Sequence, residues 1–172
     1  MILLNEIFED VAKISWKSVN EGYRGSFEIG GNKYTIHLDE YVFNFKSSGK
    51  RCEFVDIGFV VHTADGESWT ATNFNKNQVK ILGTVLGGVR EKILKIKPDA
   101  LIFGVNFKNG DVEKRLSIYK RMAKMYAKMS YGIMQDKIKT PNGEYIAAVR
   151  SELSSEEIED INKFVQDHVK LK

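Results

Sequence analysis

The stretch of sequence that most constrains the fold runs from Lys97 to Met134. It reads KPDALIFGVNFKNGDVEKRLSIYKRMAKMYAKMSYGIM. The short, continuous apolar run from Ala100 to Val105 is typical of a strand that is covered on both faces. Asn109-Gly110-Asp111 then predicts a turn and the N-cap of a long helix, which leads into a second strand. We expect the rest of the chain to pack around this strand, helix and strand.

The helix in this stretch has an apolar face and a basic face. Its apolar residues recur at helical spacing and are predicted to point inward: Val112, Leu116, Tyr119, Met122, Ala123, Tyr126 and Met129. Its outer face carries basic residues, three of them spaced by seven positions and two beside them: Lys114, Arg121 and Lys128, with Lys120 and Lys124. Such a stripe is more often a solvated helix face than a binding surface for a partner.

The first half of the chain is predicted to be a helix followed by strands. Asn5 can serve as N-cap, and apolar residues at helical spacing after it predict a helix that ends near Glu21-Gly22. The period then changes to two. Two turns, Gly30-Gly31-Asn32 and Ser47-Ser48-Gly49-Lys50, separate the first predicted strands. The run from Phe54 to Val61 is rich in β-branched and aromatic residues and is predicted to be a central strand.

A fourth strand and a second helix are expected next. Ala64-Asp65-Gly66-Glu67 predicts a turn into a strand at Trp69 to Thr72, and an antiparallel meander is the simplest arrangement of the four strands. From Asn77 to Lys97 the helical period returns, and Pro98 ends the helix. Three glycines inside this helix (83, 87 and 88) each cost about 1 kcal/mol relative to alanine. They indicate the close approach of another backbone or a ligand, of which close packing on the sheet is the commoner explanation.

The last third of the chain predicts a hairpin and a closing helix. Thr140-Pro141-Asn142-Gly143 is a strong turn signal between strands at residues 131–138 and 144–149. Ser154 and Glu157 have the spacing of a capping box, and they open an acidic helix. The predicted fold is therefore α/β (α+β), a mostly antiparallel mixed sheet with helices on both faces. The predicted order of elements is α-β-β-β-β-α-β-α-β-β-α.

Composition limits the class of protein. At 172 residues, 42% hydrophobic and 28% charged, the chain can form one domain, residues 1–172. The single cysteine, Cys52, excludes an internal disulfide and a Cys-based zinc site and fits a reducing compartment. No apolar run is long enough to cross a bilayer, and no secretion leader is recognised. We expect a soluble protein that is neither secreted nor membrane-bound.

The distribution of charge is more informative than the net charge of +3. Residues 108–139 contain nine basic residues against three acidic ones, whereas residues 152–172 contain six acidic residues against three lysines. The basic helix can therefore bind a nucleic acid or a protein. The acidic last helix can instead pack near the basic stripe, or meet it on a neighbouring copy.

The order of elements, with strand, helix, strand, helix and strand after a meander, is similar to the core of the GNAT superfamily of N-acyltransferases. The strand ALIFGVN, the tyrosine-bearing helix segment RLSIYKRM and the strand start Tyr131-Gly132 carry the resemblance. KPDALIF, followed by an arginine four residues before a tyrosine, also resembles small uncharacterised proteins of tailed bacteriophages. The likeness covers roughly residues 53–138.

The GNAT resemblance implies a pyrophosphate-binding loop at the start of the central helix. In the family this loop reads Gln or Arg, two residues, Gly, one residue, then Gly or Ala, and its backbone N–H groups bind the cofactor phosphates. The matching segment is Lys80-Ile81-Leu82-Gly83-Thr84-Val85, which has lysine at the first position and valine at the last. If acetyl-CoA is bound, Lys80, Gly83 and Thr84 are the residues expected to hold it.

No catalytic or metal-ligand signature stands out. His37, His62 and His168 lack the spacing of a metal site, and Cys52 has no histidine near it in sequence. Three acidic residues on adjacent predicted strands could act as a base for an amine, although strand carboxylates usually belong to an exposed face: Asp39, Glu40 and Asp56. Tyr119 and Tyr126 could be general acids, although core packing is the commoner role.

We therefore expect a phage-type accessory or virion-associated protein, located in the host cytoplasm or the virion. It would have a GNAT-like scaffold, carry out no catalysis, and act by binding a macromolecular partner or another copy of itself. The first alternative is an active N-acetyltransferase that uses acetyl-CoA. The second is a nucleic-acid-binding protein that uses the basic helix at residues 111–129.

Overall fold

The computed structural model describes residues 11–63, 66–68, 78–108, 112–128 and 132–171. Within these ranges eight strands form one sheet, and three helices pack on it. The strands are β1 (Ser15–Val19), β2 (Gly22–Ile29), β3 (Asn32–Asn44), β4 (Arg51–Thr63), β5 (Gly66–Ser68), β6 (Ala100–Asn106), β7 (Gly132–Thr140) and β8 (Gly143–Arg150). The helices are α1 (Gln78–Ile96), α2 (Val112–Tyr126) and α3 (Ser155–His168).

The sheet is mixed and mostly antiparallel, as predicted. Its order is β1-β2-β3-β4-β6-β8-β7, and β5 pairs with β4 beside this path. All neighbouring strands are antiparallel except β4 and β6, which are parallel. The predicted meander is present as β2 to β5. Its fourth strand is β5, so Gly66 and Glu67 lie in a strand where a turn was expected, and residues 69–72 lie outside the described ranges.

The prediction of an N-terminal helix that extends to residue 21 is wrong for its last part. Ser15–Val19 is strand β1, which pairs with β2 from Ser15 opposite Ser26 to Val19 opposite Gly22. Ala12, Ile14 and Trp16 alternate with exposed residues and pack on the core, whereas Val11 is 46% exposed. The segment carries both periods, and pairing with β2 selects the period of two. Residues 1–10, which include the predicted N-cap Asn5, lie outside the described part of the chain.

The three helices cover both faces of the sheet, as predicted. On one face, α1 and α2 contribute to a core with β2, β3, β4, β6 and β8. On the other face, α3 packs through Ile161 and Val165 against a smaller cluster that includes Phe54, Ile102 and Tyr145. Since α2 and α3 lie on opposite faces, the acidic helix does not pack near the basic stripe of the same copy. That alternative is wrong, and contact with the stripe of a neighbouring copy stays a prediction.

Local signals at the helix ends agree with the structure. Ser154 caps α3, since its side chain accepts a hydrogen bond from the Glu157 backbone N–H, and the Glu157 carboxylate accepts one from the Ser154 N–H. The helix predicted at residues 77–97 is α1, and the helix predicted after Asp111 is α2. Within the described residues, no helix is both long and apolar enough to span a bilayer.

Candidate functional site at the separation of β4 and β6

The two parallel strands at the centre of the sheet pair over only a short length. Phe54–Asp56 of β4 pairs with Ala100–Ile102 of β6, which makes three residue pairs. Both strands continue past this point, β4 to Thr63 and β6 to Asn106. Beyond this point, among the described strands, β4 pairs only with β3 and β5, and β6 pairs only with β8. A gap therefore opens between β4 and β6 towards their C-terminal ends, where ligands bind in many open α/β sheets.

A buried carboxylate lies where the two strands begin to separate. Asp56 is the last β4 residue paired with β6, and it is only 2% exposed. It is two residues from Phe54 and therefore points to the α3 face of the sheet. Burial, and next the charge of Asp56, raise the pKa of Tyr41 to about 12. The same two causes raise the pKa of Tyr145.

Tyr145 brings an unsatisfied hydroxyl to the same face. The residue lies opposite Gly104 of β6, and its ring occupies the space that a Cβ atom at Gly104 would need. Its Oη is buried and has no hydrogen-bond partner among the described residues. An unsatisfied buried polar group costs free energy, so this hydroxyl is a group to which a ligand could hydrogen-bond.

A second pair of polar residues lies on the opposite face of the same gap. The Tyr119 ring of α2 lies 6.4 Å from Phe59 of β4 and 5.6 Å from Phe103 of β6, centroid to centroid, so it spans the gap. Burial raises the Tyr119 pKa, a hydrogen bond and the charge of Arg115 lower it, and Asp56 raises it. Arg115 itself is 3% exposed, and its Nε and Nη1 have no hydrogen-bond partner among the described residues.

The three carboxylates considered from the sequence have different surroundings. Asp39 lies opposite Asp56 across β3 and β4 and forms an ion pair of 2.8 Å with Arg24. Glu40 is exposed and lines a separate shallow cleft beside Tyr23 and Lys95. Of the three, Asp56 alone lies in the pairing that ends at the gap.

No family model matches the chain, and neither the curated proteins nor the solved structures contain a match.

The segment proposed to hold cofactor phosphates is helical. Lys80 to Val85 lies inside α1, so the expectation that it forms a loop is wrong. The Thr84 hydroxyl is fully buried, accepts a hydrogen bond from the Ala12 N–H at 2.9 Å, and donates one to the Lys80 carbonyl at 2.7 Å. The hydroxyl of Thr84 is therefore already hydrogen-bonded to the N-terminal segment and to its own helix.

The structure shows why position 88 of α1 is a glycine. A Cβ atom at this position would overlap Ile14 Cδ1 and lie 3.5 Å from Trp16 Cζ2. A Cβ atom at Gly25 of β2 would likewise come within 2.8 Å of both side chains. Ile14 thus lies in a notch between two glycines. The sequence predicts the close approach of another backbone or a ligand, whereas the neighbours at Gly88 are side chains of the chain's own N-terminal segment.

The basic stripe of α2 is exposed, as the spacing predicts. Lys114, Arg121, Lys124 and Lys128 are exposed, and Lys120 is half-buried. A shallow depression of about 380 Å³ lies on this surface, and its lining mixes charges of both signs with Leu116: Glu113, Leu116, Ser117, Lys120, Arg121 and Lys124. The stripe is therefore accessible to a partner, but it forms only a shallow depression and no enclosed pocket.

The remaining candidates are dispersed. The thiol of Cys52 is buried, and burial, followed by the charges of Asp99, Glu157 and Glu53, raises its pKa to about 12. His62 Nε2 lies 2.7 Å from the Thr35 hydroxyl, and His168 stacks near Phe164 with ring centroids 4.6 Å apart. Across the described ranges, no three His, Cys, Asp or Glu residues are placed to hold a metal ion.

Arg115 and Tyr145 are not among the site residues that the sequence predicts. The inward stripe of α2 contains Arg115 as well as Tyr119, Met122 and Tyr126, all of them buried. These positions are four, three and four residues apart, so the helical period already assigned Arg115 to the buried face. Tyr145 carried no signal of its own, because its position depends on the pairing of β8 with β6.

Proposed function

We propose that the chain is an N-acyltransferase that binds an acyl thioester in the gap between β4 and β6. One observation carries this proposal: parallel pairing stops after three residue pairs, and the buried Asp56 lies at the last of them. The sequence resemblance to GNAT enzymes supports the same function, since it covers both strands and the helices between and after them.

The polar groups at the gap suit transfer of an acyl group to an amine. In such a transfer the amine nitrogen attacks the thioester carbonyl, a C–N bond forms, and the C–S bond breaks. Asp56 would accept the proton that the amine loses, which is the base role considered from the sequence. Tyr119 would donate a proton to the leaving thiolate, since burial favours its protonated form. The two residues would act from opposite faces of the sheet, with the reacting groups held between β4 and β6.

The phosphates of a CoA thioester would have to bind outside the segment inferred from sequence. Thr84 is already hydrogen-bonded within the chain, and Val85 is fully buried. The proposal therefore depends on the gap and does not depend on Gly83 or Thr84.

Calorimetry with acetyl-CoA tests the proposal. We expect binding at micromolar concentration with a stoichiometry of one, and absence of binding at millimolar ligand would contradict it. Release of free thiol from acetyl-CoA in the presence of a polyamine would report transfer. Tyr119→Phe should reduce the rate of thiol release and leave acetyl-CoA binding nearly unchanged.

Tyr126→Phe is the matched control. Tyr126 is also a buried tyrosine of α2 whose ring stacks on Phe103, but its hydroxyl donates to the Leu86 carbonyl of α1 at 3.1 Å. This substitution should leave thiol release unchanged while lowering stability. Equal loss of activity in the two variants would mean that the tyrosines act only through packing.

A non-catalytic protein that binds a macromolecular partner is the second candidate. The engagement of Thr84 by the N-terminal segment and the exposure of the basic stripe favour it. The expectation of a phage accessory or virion component, and of a partner that is a protein or a nucleic acid, belongs to this candidate. Micromolar, stoichiometric binding of acetyl-CoA would contradict it.

Charge reversal tests the basic stripe directly. Lys114→Glu, Arg121→Glu and Lys128→Glu together should abolish binding to a duplex DNA or RNA probe if the stripe contacts phosphates. The affinity of the wild type should then fall steeply with salt concentration. A control with Glu156→Lys and Glu159→Lys on α3 changes charge on the opposite face. If the first variant bound the probe as well as the wild type did, the stripe would be a solvated helix face that does not contact nucleic acid.

A further inference from the structure

Arg115 is the least satisfied charged group among the described residues. Its side chain is 3% exposed, and both Nε and Nη1 are buried without a hydrogen-bond partner in the described part of the chain. An arginine stays protonated in proteins, so the charge cannot be removed by titration. A buried charge of this kind is normally paired. The fold therefore keeps a cation in its interior with donors to spare.

The position of Arg115 relates it to the gap between β4 and β6. It lies one helical turn from Tyr119 on the buried face of α2, and the Tyr119 ring contacts Phe59 of β4 and Phe103 of β6. Arg115 lies one helical turn closer to the start of α2, and α2 begins shortly after β6 ends at Asn106. It therefore lies towards the C-terminal ends of the two strands, beyond the point where their pairing stops.

We propose that Arg115 binds a carboxylate group of a small-molecule ligand that enters between β4 and β6. This inference uses the same gap as the proposed acyl transfer but does not require transfer to occur. A ligand of the fitting class is a dicarboxylate, or an acyl thioester whose acyl chain ends in a carboxylate.

A carboxylate fits the surroundings better than a phosphate does. The surroundings are aromatic, since the rings of Phe59 and Phe103 lie against Tyr119, one helical turn from Arg115. Asp56 is close enough to influence the ionisation of Tyr119. One guanidinium balances the single charge of one carboxylate group, whereas a phosphate dianion would bring two charges to the same point.

Arginine side-chain NMR provides the test. Protein labelled with ¹⁵N-arginine would be titrated with sodium succinate, with sodium phosphate, and with sodium chloride at matched ionic strength. We expect succinate to shift the Arg115 Nε–Hε signal saturably, phosphate to shift it less, and chloride to leave it in place. The exposed Arg121 on the same helix is the matched control, and its signal should show no saturable change.

The Arg115 signal can be assigned in two ways. Arg115→Lys should remove it, and if this variant does not fold, substitution of the other five arginines assigns the signal by elimination. A signal that ignores succinate, or responds to it no more than to chloride, overturns the proposal. A saturable shift with phosphate alone would also overturn it, because the ligand group would then be a phosphate.

Calorimetry separates this inference from the proposed function. Succinyl-CoA should bind at least tenfold more tightly than acetyl-CoA, and Arg115→Gln should make the two affinities equal. If neither thioester binds while succinate still shifts the Arg115 signal, the acyltransferase proposal fails and the carboxylate site stands. If both thioesters bind equally to the wild type, the carboxylate site fails and the acyltransferase proposal stands.

Discussion

Substitution of Gly88 by alanine should destabilise the protein although alanine is the better helix former. In α1, alanine instead of glycine gains about 1 kcal/mol of helix propensity. The added Cβ atom, however, would overlap Ile14 Cδ1 in the notch between Gly25 and Gly88. Ile14 is half-buried against the main core, so displacing it forfeits part of the roughly 1.5–3 kcal/mol that full burial of an isoleucine gives. Strain from overpacking adds about 1 kcal/mol or more.

These terms predict a net loss of about 1 kcal/mol for Gly88→Ala in the wild type. In an Ile14→Ala background the overlap is absent, and the same substitution should stabilise the protein by about 1 kcal/mol. The two substitutions should therefore be coupled by about 2 kcal/mol, which is large for a double-mutant cycle. Urea unfolding followed by circular dichroism measures all four free energies.

A Val11→Ala background is the matched control for this cycle. Val11 belongs to the same N-terminal segment but is 46% exposed, and it is not part of the notch. Gly88→Ala should cost the same in this background as in the wild type. If Gly88→Ala stabilised the protein equally in all backgrounds, Ile14 would not occupy the notch, and the attachment of the N-terminal segment to α1 would be refuted.

Three further predictions follow from single contacts. Ser154→Ala should lower the free energy of unfolding by about 1 kcal/mol through loss of the α3 cap, whereas Ser155→Ala should change it by less than about 0.5 kcal/mol in the same urea titration. Tyr126→Phe should cost about 1 kcal/mol, because the hydrogen bond from the buried hydroxyl to the Leu86 carbonyl is lost; an unchanged free energy of unfolding would contradict that bond. The Cys52 thiol pKa is raised from an ordinary 9.0 to about 12, so the unfolded chain ionises first and stability should fall as the pH rises above 9. Cys52→Ala should make that fall shallower, and rapid alkylation of the native thiol at pH 8 would contradict its burial.

Elements with local signals could be predicted from the sequence, and elements set by distant pairing could not. The cap at Ser154 and the Gly30-Gly31 turn, whose φ angles are 60° and 81°, depend on residues adjacent in sequence. Strand β1 depends on pairing with β2, so its helical apolar spacing was misleading. The same reason limits prediction of the candidate site. Asp56 could be suggested as a base, but its place at the end of the β4–β6 pairing depends on strands more than 40 residues apart in the chain.

The basic residues of α2 are of two kinds, exposed and buried, and a count from the sequence does not separate them. Exposed lysines such as Lys114 and Lys128 are solvated, and each contributes at most about 1 kcal/mol through any surface ion pair. Arg115 belongs to the same count, yet each of its unsatisfied buried donors costs about 1–3 kcal/mol. An apolar residue of similar length would avoid that cost, so Arg115→Met should raise stability by about 1 kcal/mol. It should also abolish the response to succinate. A variant that is stabilised but no longer binds would identify Arg115 as a residue kept for function, whereas a destabilised variant would mean that the buried guanidinium supports the fold.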